Sequence, residues 1–166
     1  MEIAAPLALY HESVRPEWID VNGHMNVAYY VLAFDHATDA FYAYLGLTED
    51  YIHRRNQSYF MLESHLTYQR EMRAGDRMRF TTQLLAFDRK RIHFFHRMSH
   101  AEEGYLAATA EWLAIHVDLV ERRSAPMPEP VIELLGAIRE AHASLPPPPE
   151  AGRVIRLNRE PAKGPS

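Results

Sequence analysis

Pro16-Glu-Trp18-Ile-Asp20-Val-Asn22-Gly-His24-Met-Asn26-Val-Ala-Tyr-Tyr30-Val-Leu-Ala-Phe34-Asp-His-Ala-Thr38-Asp-Ala-Phe41-Tyr-Ala-Tyr-Leu45-Gly46-Leu47 is the stretch that decides the fold. A polar loop with Asp20, Asn22, Gly23, His24 and Asn26 runs directly into an apolar helical pattern. From Val27, apolar side chains recur at Tyr30, Val31, Phe34, Phe41, Tyr42 and Leu45, with Thr38 filling the gap. That spacing is one buried helix face. Asn26 can accept from the free N–H groups of the first turn as an N-cap. Gly46 follows the last apolar position, where a left-handed residue stops a helix. A helix over 27–45 spans roughly 28 Å, enough to cross a small domain, and its entrance carries carboxylate, amide and imidazole.

On the N-terminal side, residues 7–15 read as a short strand that ends at Pro16. Beyond the helix, Thr48 followed by Glu49 and Asp50 starts a short second helix over 48–57. The character then changes: residues 58–70 and 77–87 are rich in Tyr, Phe, Leu and Thr, and from 77 on the pattern is period two. Residues 58–70, 77–87, 91–100 and 105–117 read as four antiparallel strands in succession, with Gly75-Asp76, Asp88-Arg89-Lys90 and Glu102-Glu103-Gly104 as turns. The last of these strands is apolar on both faces, which predicts a central place in the sheet. Residues 118–130 make a connector, and Val131, Leu134, Leu135 and Ile138 mark a terminal helix to about residue 143. A sheet of about five strands must curve around so apolar a helix to cover it. The expected class is therefore α+β. The expected organisation is one domain over 1–145 with a proline-rich tail over 146–166, extended along the surface or across a partner.

Bulk properties exclude several functions. At 166 residues with 47% hydrophobic and 24% charged side chains, the chain has the composition of a globular domain. A net charge of −4 and the lack of a large basic cluster speak against nucleic acid. There is no cysteine, so thiolate catalysis and cysteine-ligated metal sites are excluded. No apolar run is long enough for a membrane span, and the acidic, short N-terminal stretch does not read as a secretory signal. A cytoplasmic location is expected.

The run Asp20-Val-Asn-Gly-His24-Met-Asn26, the strand Met61-Leu-Glu63-Ser-His-Leu-Thr-Tyr68 and the turn Ala74-Gly-Asp76 resemble the hotdog-fold acyl-CoA thioesterases of the 4-hydroxybenzoyl-CoA thioesterase type. The similarity covers roughly residues 8–120. Within that family, the run through Asn22 to Tyr30 is most similar to the betainyl-CoA thioesterases of carnitine breakdown. The resemblance implies the hotdog fold, a long central helix wrapped by the curved sheet, with a second subunit on the remaining sheet surface. It implies hydrolysis of a small acyl-CoA, betainyl-CoA in the narrower match, by a homodimer or dimer of dimers without metal or separate cofactor. Asp20 aligns with the family's catalytic carboxylate, and N–H groups near Asn26 and Val27 would polarise the thioester carbonyl. The chain departs from the pattern in carrying His24 and Asn26 where those enzymes have apolar or aromatic residues. Some relatives use a carboxylate from the strand after the helix, which here is Glu63.

Each candidate has a plainer reading. Asp20 could be an Asx-turn residue, His24 a loop brace, Asn26 an N-cap with an amide that also positions water, and Glu63 a buried structural carboxylate. Gly23, Val27, Tyr30 and Trp18 complete the expected substrate surround. Trp18, Tyr29, Tyr30 and Trp112 could cage a trimethylammonium group or simply be core. Arg89, Lys90 and Arg91 could meet CoA phosphates or form a solvated turn. His93, His96 and His100 invite a metal reading, but His93 and His96 must point to opposite faces. Asp35 and Asp39 lie one turn apart and read as a solvated or interface stripe. The alternatives to this enzyme are a thioesterase for another short-chain or aromatic acyl group, and a non-catalytic acyl-CoA binding module on the same fold.

Overall fold

A computed structural model describes residues 2–157. The decisive stretch forms helix α1, Val27–Tyr44, with Asn26 as its N-cap accepting from the Ala28 N–H at 3.0 Å. Gly46, at φ +80°, ends it by donating to Ala43 O, and Leu47 N donates to Tyr42 O. The buried stripe runs through Tyr30, Ala33, Phe34, Ala37, Thr38 and Phe41. This corrects the reading of the apolar face. The alanines at 33 and 37 lie against the sheet, where small side chains permit close approach, whereas Val27, Val31 and Leu32 are left exposed. Helix α2, Glu49–Arg55, is capped by Thr48 as expected.

The strands are β1 Leu7–Ser13, β2 Gln57–Tyr68, β3 Arg77–Phe87, β4 Arg91–His100, β5 Leu106–Asp118 and the two-residue β6 Arg123–Ser124. All pairings are antiparallel, in the order β1-β3-β4-β5-β2, with β6 beside β5. β5 is an interior strand, between β4 and the edge strand β2, in keeping with its two apolar faces, while β4 holds the middle of the sheet. Succession along the chain is not succession in the sheet, however. β2 crosses to the far edge and pairs with β5, so residues 69–76 form a connection across the domain that ends in the expected turn at Gly75, φ +85°. β6 lies in the stretch read as a connector. Register shifts interrupt four of the pairings, at Leu7/Tyr10, Met61/Glu63, Leu84/Ala86 and Met98/Ser99. Bulges bend and twist strands, and this curls the sheet around α1 in the hotdog arrangement.

The face of the sheet toward α1 carries Phe80, Phe94, Met98, Ala110 and Trp112, all buried. The opposite, outer face carries Gln83, Phe95, Arg97 and Glu111. Helix α3, Glu129–Ala141, packs against β3 with Val131, Leu135 and Ile138 buried. Beyond it the tail lies on the outer face: Gln83 Nε2 donates to Pro146 O at 3.3 Å, and Glu150 stands 3.5 Å from Arg97. Of the tail as read from the sequence, residues 158–166 fall outside the described residues. Among the described residues, no helix is long and apolar enough to cross a membrane.

Candidate active site

The loop before α1 is a narrow turn built from its own polar groups. Asp20 N donates to His24 O at 3.0 Å, Gly23 N to Asp20 O at 3.0 Å, and Ile19 bridges Met25. Gly23 sits at φ +79°, which a residue with a Cβ adopts only at a cost. The Asn22 N–H donates to Asp20 Oδ1 at 2.8 Å, so Asp20 does make an Asx turn. Its second carboxylate oxygen accepts no hydrogen bond among the described residues. Asp20 is partly buried, while Val21 stands fully exposed at the tip.

The loop is anchored on both sides. Met25 N donates to Met72 O at 2.8 Å, and Asn26 N to Trp18 O at 2.8 Å. The second bond corrects the expectation for the helix entrance: the Asn26 N–H already has a partner. The Ala28 N–H is taken by the Asn26 side chain and the Tyr29 N–H by Asn26 O. Among the described residues, the Val27 N–H has no acceptor. One free amide at the positive end of an 18-residue helix is thus left facing the loop.

His24 Nε2 lies 3.1 Å from Glu71 Oε1, with both side chains partly solvated. Glu71 escaped the sequence reading because nothing local shows that the connection after β2 runs past this loop. The same connection is held by Tyr30, whose hydroxyl accepts from Met72 N at 3.2 Å, and by Tyr105, whose hydroxyl donates to Glu71 O at 3.1 Å. Burial pushes the Tyr30 phenol up to about 12, so it stays protonated. Tyr30 is therefore a buried brace that meets Tyr68 edge-on at 5.4 Å, and Tyr68 is the exposed partner. Trp18 is also closed: its indole stacks on Tyr29 at 5.3 Å and lies under the Arg15 guanidinium at 5.1 Å. It supports the loop from behind.

Asp20, Gly23, His24, Asn26 and Val27 are brought together at the helix entrance, and Glu63 is not. Glu63 pairs with Leu113, on the outer face, and is exposed, so the expectation of a buried carboxylate is corrected. The bulge beside it, at Met61/Glu63, is not visible in the sequence. Trp112 is buried on the sheet face toward α1, as a core side chain. Arg89 meets Glu129 at 3.4 Å and Arg91 meets Asp88 at 2.6 Å, so the basic triplet is a paired hairpin turn. Asp35 and Asp39 lie exposed on α1; between them His36 reaches Glu12 at 2.9 Å. His96 is enclosed between Thr38 and Thr82, 3.0 Å from each. His93 faces the other way and meets Glu111 at 2.7 Å. Among the described residues, no three His, Asp or Glu side chains form a metal-holding group.

Comparison with known proteins agrees with this layout. The family model described as the thioesterase-like superfamily matches residues 14–135. A betainyl-CoA thioesterase of Pseudomonas aeruginosa is 42% identical over 151 residues, covering 91% of this chain and 95% of the relative. An L-carnitine dehydrogenase/betainyl-CoA thioesterase of Rhizobium meliloti is 36% identical over 96% of this chain, which spans only 32% of that longer protein. Among solved structures, a Staphylococcus aureus hypothetical protein in complex with CoA superposes with TM-score 0.87 at 26% identity, covering 95% of this chain and 100% of that one. A candidate thioesterase of Pseudomonas putida KT2440 superposes with TM-score 0.81 at 33% identity, covering 94% and 99%. With the helix entrance, the curled sheet and these matches in agreement, the chain belongs to the thioesterase-like superfamily of hotdog thioester hydrolases.

Proposed function

We propose that the protein hydrolyses betainyl-CoA to betaine and CoA, in the cytoplasm, as a step of carnitine breakdown. The observation that carries this reading is the 42% identity to a betainyl-CoA thioesterase across nearly the whole chain. The helix entrance supports the chemistry. A thioester carbonyl under attack gathers negative charge on oxygen, and in this reading the free Val27 amide at the α1 terminus donates to it. Asp20 is the proposed base or nucleophile. As base, its carboxylate takes a proton from water while the water oxygen bonds to the carbonyl carbon; the tetrahedral centre then collapses, the C–S bond breaks and CoA leaves as thiolate. In this scheme His24, 3.1 Å from Glu71, passes the proton on. Asn26 positions water while capping the helix. Of the aromatic residues named above, Tyr29 lies in the first turn of α1 and is only partly buried, and its ring suits a trimethylammonium acyl group. The scheme uses side chains and amides alone, with no metal or separate cofactor.

The reading includes a homodimer. β2 is an edge strand with one side unpaired among the described residues, and Phe60, Met61, Leu62 and Tyr68 on it are exposed. Long apolar edges of this kind recruit another strand. Val27, Val31 and Leu32 on α1 add an apolar surface next to the site. Two-fold antiparallel pairing of β2 with its copy satisfies the open edge and covers the α1 surface, with the outer-face side chains Phe60 and Leu62 left beside the seam.

The test is CoA release from a panel of betainyl-, acetyl- and 4-hydroxybenzoyl-CoA. Betainyl-CoA is expected to have the highest kcat/KM, and a clear preference for another ester overturns the substrate. Asp20→Asn is expected to lower kcat by about 10²–10⁴ while acyl-CoA still binds. Wild-type protein that binds but never turns over would be a binding module instead.

A further inference from the structure

After α3 the chain crosses the outer face of the sheet in strand order. Gln83 of β3 holds Pro146 O, Arg97 of β4 meets Glu150, and Glu111 of β5 accepts from Gly152 N at 2.8 Å. Residues 152–156 then lie beside His65–Gln69, at the end of β2. The tail thus leaves the body at the unpaired edge of the sheet. There it turns apolar without cover: Val154 is 69% exposed, Ile155 88%, and Leu157 fully. A solvated tail is ordinarily polar.

At the other end of β2, on the same outer face, lies a groove of about 260 Å³ whose apolar lining is Phe60, Leu62, Ile115, Val117 and Leu119. Phe60 and Leu62 are 50% and 55% exposed. The tail's own groove is at the wrong end of the strand, about five residues or roughly 17 Å back along β2. In the two-fold antiparallel dimer proposed above, the geometry reverses. The second half of one β2 then lies beside the first half of its copy, and the two outer faces are continuous. The copy's groove is one or two strand spacings away, roughly 5–10 Å. Four extended residues reach about 13 Å.

We infer that Val154–Leu157 of one copy seat in the Phe60–Leu62–Val117 groove of a second copy, so that each subunit straps the other. This rests on the dimer reading. The strap covers apolar surface on both partners and adds contact area outside the β2–β2 ladder.

The chain has no cysteine, so an introduced pair is unambiguous. Ile155→Cys and Leu119→Cys are made singly, with different tags, mixed, allowed to exchange subunits and oxidised. The strap predicts a covalent heterodimer carrying both tags, and none from the control mixture of Ile155→Cys with Arg54→Cys. Light scattering on the unmodified protein is run in parallel. A monomer there removes the dimer and the strap together. A dimer without the covalent heterodimer, or with the disulfide only inside the Ile155→Cys/Leu119→Cys double variant, removes the strap alone. Truncation after Arg153 is expected to raise the dimer Kd at least about tenfold, the factor for 1.4 kcal/mol; an unchanged Kd overturns the strap.

Discussion

Acid should destabilise this protein through His96, and the size of the effect follows from its surroundings. The ring is fully buried between α1 and the sheet, stacked on Phe34 and bonded by Thr38 and Thr82. The Thr38 hydroxyl hydrogen is spent on Phe34 O at 2.9 Å, so Thr38 accepts from Nε2–H while Thr82 donates to Nδ1. The site is satisfied by a neutral ring. Burial moves the imidazole from its ordinary 6.5 down to about 3. Between those values the unfolded chain binds a proton that the folded chain does not, so stability falls as pH drops below 6.5. At 1.36 kcal/mol per unit, the loss is about 2 kcal/mol between pH 7 and 5 and about 3 kcal/mol by pH 4. His96→Gln keeps one donor and one acceptor without titrating. Urea unfolding of both proteins, at one fixed protomer concentration, is expected to give curves that diverge by these amounts below pH 6.5. Burial also lowers His116 and His142, and these cancel in the difference. Parallel curves for the two proteins would refute the reasoning.

Other expectations concern the site. Asn26→Ala removes the acceptor for the Ala28 N–H and should cost about 1 kcal/mol of stability, read from the urea midpoint, with kcat falling as the helix entrance loosens. Glu71→Gln should lower kcat/KM about fivefold or less, since a pair this solvated is worth about 0–1 kcal/mol; a loss of thousands would place Glu71 in the chemistry itself. Glu63→Gln, on the outer face, should leave kcat/KM within about twofold, the ordinary range for a surface change, whereas a large loss would return Glu63 to the site. Chelator treatment should leave turnover unchanged in the proposed scheme.

The elements of the fold were largely legible in the sequence because their signals are local. Asn26 and Gly46 mark the ends of α1 within a residue, Thr48 starts α2, and period two marks β3, β4 and β5. What could not be read depends on contacts far along the chain. The aromatic and aliphatic run of β2 says nothing of its pairing with β5, and the bulge beside Glu63 decides which face that carboxylate takes. Helical spacing also could not rank Val31 against Ala33, because close approach to the sheet favours the smaller side chain. At the site, the loop and its cap were readable as a motif. Which amide stays free was not, because Trp18 O takes the Asn26 N–H from outside the helix. Glu71 was invisible for the same reason: it reaches His24 only through the path of a connection.

The position of β2 also bears on how the chain folds. β3, β4 and β5 are joined by short turns and can zip together locally, whereas β2 must wait for residues 106–118 before it has a partner. Closing so long a loop costs entropy before any pairing rewards it, and such non-local contacts slow folding. Until it docks, β2 presents Phe60, Met61 and Leu62 with neither edge protected. In pulse-labelling hydrogen exchange its amides, like those of β1, should therefore become protected only after the β3–β4–β5 meander, and this interval is when the chain is most prone to mispair with another copy of itself.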